Sequence, residues 1–137
     1  MKVCNKIFHI QDNLYGAQIY LILASRENLV GITKKRWGDE TPPDPHYCAC
    51  SWKVETLRKD KNTTIDYIIW MPQFDWSIPD QTTLVHEIFH TASKILTDRG
   101  IKHDPNNEEP FACCINWIMS ELWNALKPYH PKTRKHK

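Results

Sequence analysis

The spacing of the apolar residues changes at Pro72, and that change sets what the chain can fold into. Beyond it, Leu84, Ile88, Ala92 and Ile95 recur at helical spacing, with Val85, Phe89 and Leu96 widening the stripe. Phe111, Ile115, Ile118, Leu122 and Leu126 form a second ridge of the same kind. Two amphipathic helices follow, over 82–99 and 109–127, and each needs an apolar surface to cover. Ser77 or Asp80 caps the first, and Gly100 stops it. Asn107 is the expected N-cap of the second, with Pro110 in its first turn and Pro128 at its end.

Before Pro72 the apolar residues fall in short clusters rich in β-branched and aromatic side chains, which is the pattern of strands. Strands are expected over 7–11, 18–24, 48–55 and 64–70, with a loop over 37–45 and a hairpin turn over 58–62. Residues 28–35 read equally as a short strand or a helical turn. The expectation is therefore an α+β fold: a small, mostly antiparallel sheet from the N-terminal half, packed against two antiparallel C-terminal helices. At 137 residues the chain has the length of one domain, expected over 1–128, followed by a basic tail over 129–137.

Composition narrows the partners. A hydrophobic content of 41% with six tryptophans is that of a folding chain. Eighteen Lys+Arg against sixteen Asp+Glu leave +2, too little to name nucleic acid or an anionic membrane as partner. The tail over 129–137 admits at most weak nucleic-acid contact. No apolar run approaches the roughly 18–20 residues of a membrane span, and the apolar run at 7–10 is broken at once by Gln11-Asp12-Asn13, so neither a transmembrane segment nor a signal peptide is expected. Five cysteines, an odd number, fit free thiols in a reducing, intracellular compartment. Oligomeric state leaves no trace in the sequence.

The segment that carries chemistry is His86-Glu87-Ile88-Phe89-His90, a His-Glu-x-x-His motif inside the stronger helical pattern. Residues four apart on a helix lie on one face about 6 Å apart, so both imidazoles can meet one metal ion at roughly 2.0–2.1 Å, and zinc suits that geometry. Glu87 then sits beside the pair as a general base on a zinc-bound water. A third protein ligand is required downstream. The compact spacing with Gly and a third His fails, since Ser93 and Leu96 occupy those positions. His103 in the inter-helix loop and the pair Glu108 and Glu109 remain, with Glu109 preferred at the start of the second helix, and Cys113 shares its side. Asp98, Asp104 and Asn116 are candidates to orient a ligating imidazole. His46, Cys48 and Cys50 would share one strand face and could bind a second metal, although two buried thiols explain the cysteines more simply.

With these residues in place, the chain resembles the gluzincins, zinc metallopeptidases in which a glutamate from the following helix completes the site. The stretch from Ile65-Asp66-Tyr67-Ile68-Ile69-Trp70 through His86-Glu87 and His90 to Asn107-Glu108-Glu109-Pro110-Phe111-Ala112 is most similar to small metallopeptidases encoded by phages and prophages of bacteria. The resemblance implies one zinc ion held by His86, His90 and Glu109, Glu87 as base, a peptide or protein substrate, and a place in the bacterial cytoplasm. It also implies that the strand at 64–70 lies along the cleft. His103, Tyr129 and His130 are candidate oxyanion donors. Two other readings stand beside hydrolysis. One is a non-catalytic phage or prophage binding or structural protein with a structural or relic metal site. The other is a DNA-associated protease that uses the basic tail.

Overall fold

The computed structural model describes residues 2–40, 43–44 and 46–132. Its architecture is α+β, with one four-stranded mixed sheet and three helices. Strand β1 (Lys6–Gln11) pairs antiparallel with β2 (Gln18–Leu23). The turn between them is tied by the buried Asp12, whose carboxylate accepts from the backbone N–H of Leu14 at 2.8 Å and Tyr15 at 2.9 Å. Helix α1 (Arg26–Trp37) follows, capped by the Ser25 hydroxyl. Strands β3 (Cys50–Leu57) and β4 (Thr63–Met71) form the hairpin expected around 58–62. Helices α2 (Ile78–Asp98) and α3 (Glu109–Leu126) complete the fold, the latter running into a short 3-10 turn, Lys127–Tyr129.

Strand order is β1-β2-β4-β3, and β2 pairs parallel with β4, so the sheet is mixed where a mostly antiparallel one was expected. The same residues explain why two helices are not enough. Strands β2 and β4 are buried almost without alternation, the pattern of strands covered on both faces. Ile19, Leu21, Leu23, Tyr67, Ile69 and Met71 face the α2–α3 core. Ile22, Ala24, Ile68 and Trp70 face the other way, onto Leu29 and Ile32 of α1. Residues 28–35, open from sequence, are thus the helix that closes the second face. No helix among the described residues is long and apolar enough to cross a membrane.

The helix boundaries follow from local chemistry. The Ser77 hydroxyl accepts from Asp80 N–H, which starts α2 four residues ahead of the expected 82. Gly100 sits one residue beyond Arg99 with φ +74, a left-handed conformation that glycine adopts without a Cβ clash. The N-cap of α3 is Glu108 rather than Asn107; Asn107 is engaged instead with Asp104 in a tight turn. At the other end, Tyr129 stacks edge-on against Phe8 and His130 against Trp76, so these two residues, grouped with the tail from sequence, contact the folded body. Residues 133–137 of that tail lie outside the described residues.

Asp98, at the last turn of α2, ties that helix to the sheet. Its carboxylate accepts from Tyr67 O–H at 2.7 Å and from Lys53 Nζ at 2.9 Å. Burial alone would raise this carboxyl, but the two hydrogen bonds and the charges of Lys53 and Arg99 outweigh it and hold it below its ordinary value. A carboxyl held below its unfolded pKa of about 3.9 contributes stability that is complete above that pH and lost as pH falls through the folded value. Asp98→Asn is therefore expected to cost about 1–2 kcal/mol at neutral pH. Denaturant melts should show the gap to wild type closing as pH drops from about 4 towards 2; a gap independent of pH would rule out the ionised carboxylate as its source.

Candidate metal centre

Helix α2 buries Leu84, Ile88, Ala92 and Ile95 against the sheet, and this fixes where its polar residues go. His86 and His90 lie on the exposed flank, while Glu87 is 6% exposed and Thr91, whose hydroxyl donates to the Glu87 carbonyl, is 1% exposed. The two imidazole rings meet edge-on, with Nε2 to Nε2 at 3.1 Å. Two nitrogens held tetrahedrally at 2.0–2.1 Å from one ion stand about 3.3 Å apart. The side chains thus fit two adjacent positions of such a site.

A cavity of about 360 Å³ opens beside the pair. Helix α2 gives it His86, Glu87, His90 and Lys94; the opposite wall is Tyr47, Ala49, Cys50 and Ser51, leading into and starting β3. The Glu87 carboxylate accepts no hydrogen bond from a described residue, which leaves it available to the cavity. Burial pushes the Cys50 thiol up to about 11, with the nearby Glu87 charge adding to the rise. The same burial lowers the Lys94 ammonium, against the opposing pull of Glu87 and Cys50.

The remaining expected site residues lie elsewhere. Among the described residues no group of three His, Cys, Asp or Glu side chains is placed to hold a metal ion. Glu109 is exposed, and its Oε1 accepts a 3.6 Å contact from Cys113 Sγ, the hydrogen bond that raises the Cys113 thiol. The cause is helical phase: the buried stripe of α3 fixes its rotation, and at about 100° per residue Glu109 stands about 160° around the helix from Phe111. Glu108 lies about 60° from Phe111 by the same measure, exposed at the N-cap. His103 packs on Phe111 at 4.6 Å between ring centroids, and Phe111 on Phe89 at 5.2 Å, so phenyl rings occupy the path from His103 towards His90. Neither His103, Tyr129 nor His130 lines the cavity.

Two further expectations are corrected. Strand β4, read as the strand along the cleft, is central and paired on both sides; β3 is the edge, and its first residues line the cavity. His46 and Cys48 precede β3, so the strand alternation that would have grouped them with Cys50 does not reach them. Asp98 is engaged with Tyr67 and Lys53, and the Asp104 carboxylate with the Asn106 N–H, so neither is turned to an imidazole. Lys94, Ser51 and Tyr47 are the cavity residues that sequence reasoning passed over. For Lys94 a signal existed: it stands one turn beyond His90 on the same ridge.

Protein loaded with zinc and freed of excess metal is expected to keep about one zinc per chain, measured by elemental mass spectrometry. His86→Ala and His90→Ala are each expected to keep none, with melting temperature little changed because both side chains are exposed. Full zinc content in both variants would place the metal elsewhere. The chain matches no family model, no curated protein and no solved structure.

Proposed function

We propose that this chain is a zinc-dependent peptide hydrolase. The observation that carries the reading is the convergence of His86 and His90 to 3.1 Å beside the buried Glu87, all three on one cavity. His86 and His90 would hold the ion. The third ligand would come from the acidic pair that opens α3, Glu109, as the resemblance implies, or Glu108; because helical phase turns Glu109 away, metal binding would require the start of α3 to shift and not only a side chain to rotate. Zinc, when bound, supplies a Lewis acid that acidifies water and polarises the scissile carbonyl.

The chain's own residues do the rest. Glu87 Oε takes the proton of the attacking water and passes it to the leaving amine, general base and then general acid. Burial keeps its carboxylate on the cavity side, and Thr91 fixes the turn of backbone that carries it. Strand β3 is a sheet edge and lines the cavity, so its unpaired backbone N–H and C=O groups can align an extended peptide across the reacting centre.

Glu87→Gln is expected to retain zinc and to lower turnover of a peptide library by about 10²–10⁴-fold, read by mass spectrometry of the products. Full activity in the metal-loaded variant would remove Glu87 from the mechanism. Glu109→Ala and Glu108→Ala, assayed for zinc content in parallel, identify the third ligand by which of them loses the metal. A wild-type protein that keeps zinc and cleaves nothing in the library would favour the binding-protein reading.

A further inference from the structure

The cavity holds a cation that neither the metal site nor the fold accounts for fully. Lys94 is half-buried, and among the described residues it makes no ion pair within 4.0 Å, unlike Lys34 and Lys53. Its Nζ donates to the Ser51 hydroxyl at 3.2 Å, a neutral partner that leaves two of its three N–H donors free. A desolvated ammonium without a carboxylate at contact is an unfavourable arrangement unless a ligand completes it. The Glu87 carboxylate lines the same cavity and attracts the ammonium, but the two do not form an ion pair.

We propose that Lys94, with the Ser51 hydroxyl beside it, binds a carboxylate of the substrate, so that the cavity selects peptides with an acidic side chain or a free C-terminus next to the cleaved bond. This rests on the hydrolase reading for calling the ligand a substrate; the anion site itself does not. Lys94 is a specificity residue here, since it acts on the ligand and takes no part in proton transfer.

The test is binding, followed by nuclear magnetic resonance of the Cys50, Ser51 and Lys94 signals in the full chain, both zinc-loaded and metal-free. Three probes separate the sources of the carboxylate: N-acetylglutamate α-amide carries it on the side chain only, N-acetylglutamine on the main chain only, and N-acetylglutamine amide nowhere. At least one carboxylate probe is expected to bind about 10–100-fold more tightly than the neutral one, and the tighter of the two says whether the site reads a side chain or a chain end. Lys94→Gln should bring the carboxylate probes down to the neutral level, and Lys94→Arg should restore selectivity, which a role confined to holding β3 would not produce. Equal binding of all three probes, or selectivity that survives Lys94→Gln, for example by direct ligation to the metal, overturns the proposal. Hydrolysis lost everywhere with this selectivity intact would instead remove the hydrolase reading and leave the anion site standing.

Discussion

The match between one flank of α2 and the edge strand β3 is the constraint on which the site depends. Four residues of helix rise about 6 Å and two residues of strand about 6.6 Å, so a helix lying along a strand meets it at nearly equal intervals. Two such meetings are bonded: Asp98 with Lys53, and one turn earlier Lys94 with Ser51. Before Cys50 the chain is no longer strand, and there Tyr47 and Ala49 stand across the cavity from His86 and His90. The small side chain of Ala49 helps to leave the gap open. The cavity therefore begins where the bonded helix–strand ladder ends, with the histidine pair and Glu87 on its helix wall.

That ladder requires the rest of the sheet. Strand β3 can serve as an edge only because β4 pairs with β2 on its other side, and a parallel β2–β4 pair requires an intervening crossover, which here contains α1. The second face of the sheet is then closed by α1, with Trp70 Nε1–H on the Ala24 carbonyl at 2.8 Å and Trp37 Nε1–H on Asp66 at 2.7 Å. Burying both faces makes the β2–β4 pair a firm floor, and α2 inherits its position from it.

How much of this a sequence displays follows from the range of each interaction. The four strands, both C-terminal helices, the Ser77 cap and the Gly100 stop are written in neighbouring residues and are legible there. Helix α1 is not, because only Leu29 and Thr33 of its twelve residues are buried and no apolar stripe results. The runs Ile19–Ala24 and Tyr67–Met71 did carry a usable sign, since strands apolar on both faces require two layers of cover. Strand order is a long-range property, which is why β4 rather than β3 was read as bordering the cleft. The histidine pair and Glu87 were legible because their spacing within one helix is their geometry. Glu109 depended on the rotation of a different helix, set by Phe111, Cys114 and Ile118, and spacing from His90 carries no information about that.

The placement of the histidines also bears on why a metal would be there at all. Structural zinc sites hold together domains whose cores are too small, and their ligands sit where the fold would otherwise come apart. Here the α2–α3 core closes on Leu84, Ile88, Ile95, Ile118 and Leu122, each fully buried, while His86 and His90 lie outside it on an exposed flank. A metal bound there would link α2, already capped and tied to the sheet through Asp98, to the start of α3, and the buried core joins those two helices without it. Little folding free energy is available from such a link. What the position does offer is a carboxylate buried at its side, a cation one turn away and an open sheet edge opposite, and these are resources for acting on a ligand.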